Sequence, residues 1–218
     1  MPMTIHRQEG QERQEGHAFE PEARLLHWLG RDEARLLALM AARQLASEER
    51  LTDWLLAAGF VRDLVWDNLH GYPASSLNDI DFIYFCAKDT SRERDARLEA
   101  RLRLLAPEYP WSVKNQARMH LRNADRPYRS TEDAMGFWPE QETAVGVALR
   151  EDMAIPLKEA GSTALDPAQV RLVSVFGWHG LFSLQLTANA RRDRTVFEQR
   201  LQAKAWLTRY PQLRLAPT

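Results

Sequence analysis

Asp79 and Asp81 lie two residues apart in an apolar run, Asn78-Asp79-Ile80-Asp81-Phe82-Ile83-Tyr84-Phe85-Cys86. Aromatic and β-branched residues dominate this run and neither Gly nor Pro interrupts it, which predicts a strand. Side chains alternate across a strand, so both carboxylates share one face about 7 Å apart while Ile80 and Phe82 take the other. Two such charges repel unless something positive sits between them. Mg²⁺ suits the place, because it wants oxygen ligands and keeps room for phosphate oxygens. Asp79 and Asp81 are therefore the expected metal ligands and catalytic carboxylates.

A phosphate end precedes them. The apolar segment from Trp54 meets Ala58-Gly59, and a helical pattern begins at once with Val61, Leu64, Val65, Asn68 and Leu69. Glycine between strand and helix lets the backbone approach a ligand closely, and the new helix N-terminus offers N–H groups to an anion. Arg62 is positioned to pair a phosphate bidentately, and equally to form an ion pair with Asp63 or Asp67. Lys114 and Arg118 flank Asn115 and could meet phosphate or an acceptor, though exposed charge is the commoner fate of such residues. His70 and His120 have no partner at metal-ligand spacing and read as hydrogen-bonded structural histidines. Six His and one Cys make no zinc site. Cys86 reads as an inert buried thiol. The tryptophans are mostly core, with Trp111 and Trp138 available to a base pocket.

The elements that must hold these residues follow in order. Residues 1–20 carry almost nothing to bury and read as a disordered tail, leaving 21–218 as one domain. Leu25, Leu26, Trp28 and Leu29 predict a short helix. Arg31-Asp32 opens a second with Leu36, Leu37, Leu39 and Met40 inward, and Ser47 looks like the N-cap of a third. A charged helix runs from Ser91 to Leu105 with Leu98, Leu102 and Leu105 inward, its Arg and Glu pairing on a solvated face. Strands are expected at 111–115, 143–149 and 170–176, a hairpin-bearing connection between the last two, and helices at 116–122 and 131–138. The stretch 178–186 is a helix or an apolar turn. An amphipathic helix over 193–209 buries Phe197, Leu201, Ala205 and Trp206, and the cluster Arg191-Arg192-Asp193-Arg194 before it reads as solvated.

At 218 residues and 25.2 kDa, with 44% apolar residues, the chain is ordinary globular material. A formal net charge of −1 gives nucleic acid no global electrostatic case as a partner, although a local basic patch is compatible with it. One cysteine excludes an internal disulfide and fits a reducing compartment. No apolar run approaches a membrane span and the start lacks a signal-peptide core, so the cytoplasm is the expected location and no membrane partner is expected.

Further segments carry a family resemblance. Ala58-Gly59 with Arg62 and Trp66, Leu69-His70-Gly71, Asp79-Ile80-Asp81 with Tyr84-Phe85, and Val113-Lys114-Asn115-Gln116-Ala117-Arg118-Met119-His120 occur in this order. Pro127-Tyr128-Arg129-Ser130, Trp138-Pro139-Glu140 and Thr143-Ala144-Val145-Gly146-Val147 follow. Over about residues 50–185 the chain resembles the bacterial nucleotidyltransferase-like family. The resemblance implies an α/β (α+β) fold, a nucleotidyltransferase-like mixed sheet flanked by helices, and it brings no substrate with it. It also implies that the glycine turn holds a triphosphate and the aspartates its metal. The expected activity is Mg²⁺-dependent transfer of a nucleoside monophosphate from an NTP to an acceptor. The alternative is a catalytically silent member that binds a nucleotide or a protein. Two departures motivate that alternative. The segment Gly177-Trp178-His179-Gly180-Leu181-Phe182 has no carboxylate where the family usually has an acidic pair. The strand at 111–116 likewise lacks the third acid that the fold normally places there, and Asn115 could lend a neutral oxygen instead.

Overall fold

Capping and apolar stripes set the N-terminal helices. A computed structural model of the chain describes residues 20–150 and 165–217; the expected tail before residue 20, most of the 150–169 connection and Asp152 lie outside them. Helix α1 (Pro21–Leu29) opens on a proline whose fixed φ suits a first helical position, and it buries Leu25, Leu26 and Leu29. Helix α2 (Glu33–Glu48) starts at Asp32, which accepts the Arg35 amide at 3.0 Å. The third helix expected from Ser47 is absent: α2 ends one residue later, at Glu48, and Arg50, at φ 53°, turns the chain toward the first strand. The buried stripe of α2 is Ala38, Leu39, Ala41, Ala42, Leu45 and Ala46, mostly strong helix formers.

After α2 come strand β1 (Trp54–Ala57), helix α3 (Gly59–His70), strand β2 (Ile80–Tyr84), helix α4 (Arg92–Leu105) and strand β3 (Trp111–Asn115). Helices α5 (Met119–Asn123) and α6 (Thr131–Met135) lead to strands β4 (Val145–Leu149) and β5 (Val170–Ser174). The main sheet has the order β3-β2-β1-β4-β5, with β2 and β3 parallel and the other neighbours antiparallel. Every residue of β1 and β4 is buried, as central strands require. Trp54 of β1 stacks on Phe82 of β2 at 5.5 Å.

Edge strand β3 is closed by α4. The Val113 amide donates to Glu99 Oε2 and the Asn115 amide to Asp95 Oδ1, each at 3.1 Å, so its outward N–H groups are satisfied within the chain. Helix α4 carries the expected solvated charged face, with an i,i+4 pair between Glu99 and Arg103, and its exposed Arg97 and Arg101 also pair with Glu49 and Glu48, tying α4 to α2.

At the C-terminal end, helix α7 (His179–Phe182) precedes strand β6 (Gln185–Leu186), which pairs with strand β7 (Arg214–Leu215) in a small parallel sheet. The expected helix over 193–209 is broken in two. Helix α8 (Arg194–Lys204) stops at Ala205, left-handed at φ 48°, and helix α9 (Trp206–Arg209) leaves in a new direction. Trp206 is buried by that break, while Ala205 is exposed rather than part of the stripe.

Candidate active-site cleft

The sheet register brings the two predicted halves of the site together. Ala57, the last residue of β1, pairs with Asp81, so the turn into α3 lies beside the acidic end of β2. Ala58 makes that turn at φ 53° and ψ −116°, and its carbonyl accepts the amides of Val61 and Arg62. The left-handed φ falls on alanine, not glycine. Gly59 is needed for space instead: a Cβ there would stand 3.3 Å from an Arg62 guanidinium nitrogen. As first-turn residues of α3, Gly59 and Phe60 have no carbonyl within the helix for their N–H groups, and both residues line a cleft of about 350 Å³.

Asp79, exposed immediately before β2, and Asp81, half-buried on it, both line this cleft. Burial pushes the Asp81 carboxyl up to about 6, the neighbouring Asp79 charge adds to the rise, and Lys114, Lys204 and Arg62 oppose it. The surrounding cations thus do not fully offset the cost of burying the Asp81 charge beside Asp79. An all-oxygen donor set with that deficit fits a hard divalent cation. Among the described residues no cluster of three metal-ligating side chains occurs. Glu140 is bound to Arg200 at 2.6 Å and to the Thr143 hydroxyl, and Glu142 to the Thr187 amide and hydroxyl at 2.7 Å, so neither supplies a third ligand.

Of the two roles the sequence left open for Arg62, the ion pair is present: it pairs with Asp63 at 2.7 Å. Arg62 also lines the cleft, with its guanidinium 5.3 Å from the Trp66 ring and 4.9 Å from the Trp206 ring, two rings that meet edge to face. These contacts restrict the guanidinium before any anion arrives. Arg35, 1% exposed, pairs with Asp32 and donates from Nε to the Phe60 carbonyl at 2.8 Å, bracing the first turn of α3.

The opposite wall was missed by sequence reading. Arg200 and Lys204 of α8, Trp206 and Arg209 of α9 complete the cleft, giving five cations (Arg35, Arg62, Arg200, Lys204, Arg209) against three carboxylates (Asp63, Asp79, Asp81). The available signal was the i,i+4 spacing of Arg200 and Lys204 beside the Phe197–Leu201 stripe. Lys204 makes no hydrogen bond or ion pair among the described residues. Arg209 donates to the Ser75 hydroxyl, while buried Asp67 accepts from the Ser75 amide (2.9 Å) and the Tyr210 hydroxyl (2.9 Å). These bonds fix the loop that delivers Asp79.

Other predicted residues stay outside the cleft. Asn115 is fully buried: its Oδ1 accepts from the Cys86 and Ala117 amides, and its Nδ2 donates to the Cys86 and Asp89 carbonyls. With its amide group spent on the chain, the structure gives it no oxygen to lend to a metal. Arg118 is bound to buried Asp95, and with Lys114 it lines a separate groove past β3; Lys114 alone spans both regions, since its charge also acts on Asp81. Trp111, donating to the Ala106 carbonyl, and Trp138 do not line the cleft. His70 donates to the Trp66 carbonyl and accepts from the Gln212 amide, and His120 donates to the Ala117 carbonyl. Arg192 is not simply solvated, since it pairs with Asp125 and packs with Arg191 over Phe137. No described helix is long and apolar enough to cross a membrane.

A family profile described as nucleotidyltransferase matches residues 44–215. Among solved structures, an NMR structure said to reveal a CCA-adding enzyme head domain is 30% identical, with a TM-score of 0.65 over 82% of this chain and 89% of that one. Two more distant matches are a tRNA-processing enzyme complex, 17% identical (TM-score 0.47, 80% of this chain, 43% of the other), and an apo tRNA-processing enzyme, 15% identical (TM-score 0.48, 85% and 44%). No protein of curated function matches.

Proposed function

The chain belongs to the nucleotidyltransferase family matched over residues 44–215, and from that premise we propose that it transfers a nucleoside monophosphate from an NTP to an acceptor hydroxyl, with Asp79 and Asp81 holding Mg²⁺. One observation carries the reading: an under-compensated carboxylate pair faces a wall of cations across a cleft that a glycine turn and a helix N-terminus also line. When bound, Mg²⁺ supplies charge neutralisation on the phosphates.

The chain's own residues then have distinct tasks. The Gly59 and Phe60 N–H groups and the clamped Arg62 hold the triphosphate. Lys204 and Arg200, on the far wall, offset charge gathering on departing pyrophosphate. The acceptor oxygen forms a bond to the α-phosphorus as the bond from that phosphorus to the β-bridging oxygen breaks. The acceptor's proton passes to Asp81 or to water, and pyrophosphate leaves with the bonding pair. We place this chemistry in the cytoplasm, where NTPs and Mg²⁺ are both at hand.

Isothermal titration with Mg²⁺ and each NTP tests the cleft. Binding that needs Mg²⁺ and disappears in Asp81→Asn is expected, and binding indifferent to that substitution overturns the assignment. A second reading, nucleotide binding without transfer, draws support from the lack of a third acid at the pair among the described residues. Label from an α-phosphate-labelled NTP appearing in any acceptor removes it.

A further inference from the structure

Beside the cleft, past the edge strand β3, lies a second and larger groove of about 790 Å³ between α4 and α5. Its lining mixes Arg92, Lys114, Arg118 and Arg122 with Asp95 and Glu99. The acids are already engaged. Asp95 is buried and accepts from the Tyr84 hydroxyl, the Asn115 amide and Arg118, while Glu99 accepts from the Val113 amide and pairs with Arg103 at 2.6 Å. The cations are not engaged to the same degree. Arg92 and Arg122 are exposed and make no hydrogen bond or ion pair among the described residues, and the Lys114 ammonium donates only to the Val113 carbonyl at 3.2 Å. The groove is therefore locally basic on a chain whose net charge is −1.

Its position relative to the cleft gives that charge a direction. Ile83 pairs with Lys114 and Asp81 with Ser112, so Lys114 stands on the face of the sheet that carries Asp81, one pair further along. Among the cations that line the groove, Lys114 is the one whose charge also acts on Asp81. The free cations come from three separate elements, α4, β3 and α5, and do not converge on one point as a pocket for a single compact anion would require. Leu121, 75% exposed, and the half-buried Met119 supply apolar surface among them. Spaced cations with apolar surface between them match spaced phosphates with unpaired bases.

We propose that this groove seats the backbone of a single-stranded polynucleotide end, whose terminal hydroxyl is the acceptor for the cleft; the proposal rests on the transferase reading of that cleft. Charge reversal at the two unpartnered arginines, Arg92→Glu with Arg122→Glu, isolates the groove, because neither residue lines the cleft or holds the fold through an ion pair. Fluorescence anisotropy with a labelled single-stranded RNA of roughly 12 nucleotides, and its DNA counterpart, reads the binding. At about 50 mM salt the double variant is expected to bind at least about tenfold more weakly, with a log K against log salt slope shallower by about 1.4 for two lost contacts. Titration of Mg²⁺ and NTP into the same samples is expected to be unchanged, which also shows that the variant is folded.

Equal oligonucleotide binding by both proteins, no binding by the wild type, or displacement of the oligonucleotide by poly-glutamate as readily as by unlabelled RNA overturns the proposal. The last result would assign the groove to an acidic protein segment. Loss of NTP binding in both proteins, with oligonucleotide binding behaving as expected, overturns the cleft reading and leaves the groove as a nucleic-acid site.

Discussion

Replacing Asp81 by Asn should make the chain more stable while removing a ligand of the proposed metal site. The carboxyl is raised from 3.8 to about 6 by burial and by Asp79. At 1.36 kcal/mol for each tenfold change, that shift sets about 3 kcal/mol against the folded state once the group is ionised in both states. Well below pH 4 folded and unfolded chains both keep the proton and no penalty exists. Between about pH 4 and 6 the unfolded chain releases it first, so wild-type stability falls as pH rises; above about pH 7 the full penalty stands. The neutral, nearly isosteric Asn escapes it. The stability gap between Asp81→Asn and wild type should therefore grow from under about 1 kcal/mol at pH 4 to about 3 kcal/mol at pH 7.5, or roughly 6–12 °C in melting temperature for a chain of this size. Urea unfolding of both proteins across that range, with and without millimolar Mg²⁺, is the assay. Mg²⁺ should close the gap by stabilising only the wild type. A variant no more stable than wild type at pH 7.5, or a gap that does not shrink toward pH 4, refutes the view of an under-compensated acid pair.

Three more predictions concern the supports of the site. Glu140 is fully buried and its charge is met by Arg200, whose side chain is 40% exposed, so Arg200→Ala should cost about 3 kcal/mol in urea unfolding and Glu140→Gln with Arg200→Ala distinctly less than Arg200→Ala alone. A Cβ at Gly180 would stand 2.5 Å from Glu142 Oε1, which Thr187 holds in place; Gly180→Ala should therefore destabilise by about 1–3 kcal/mol, with a double-mutant cycle against Glu142→Ala returning most of the loss. Cys86 is half-buried rather than inert: burial pushes its thiol up, but hydrogen bonds from the Asp89 and Lys88 backbone and from Arg94 outweigh this and leave it below its ordinary value. Alkylation by iodoacetamide at neutral pH should be faster than for an unperturbed thiol, and Arg94→Ala should slow it.

The parts of the site legible in the sequence are those whose geometry is local. A strand, a turn and a helix over Trp54–His70 followed by the strand bearing Asp81 could be read from period and composition, because each of those elements owes its form to near neighbours. The mixed sheet is an implication of the family resemblance instead, since period and composition do not give strand pairing. The failures are tertiary. Ser47 with its following acids looked like the cap of a new helix, whereas α2 ends there and a left-handed Arg50, which residue type argues against, turns the chain. Asn115 looked like a ligand because its type and spacing permitted one, whereas its partners Cys86 and Asp89 lie 29 and 26 residues away in the chain. The break at Ala205 depends on a left-handed alanine, which residue type alone argues against.

The cation wall shows why such failures gather at the site. Three of its four members are placed by a contact distant in sequence: Arg200 by Glu140, 60 residues earlier, Arg209 by Ser75, 134 residues earlier, and Trp206 by the Arg62 guanidinium 4.9 Å from its ring. Helix α8 buries only Phe197 of its own residues, so its composition reads as a solvated surface helix. Its position over the cleft comes from the Arg200–Glu140 pair and from the buried tryptophan at the break. The acid wall is thus written into one strand, whereas the cation wall exists only after the chain has folded back. Burial and Asp79 raise the Asp81 carboxyl while Lys204, more than a hundred positions away, opposes the rise together with Lys114 and Arg62, so the chemistry of a carboxylate written into one strand is tuned in part from the far end of the chain.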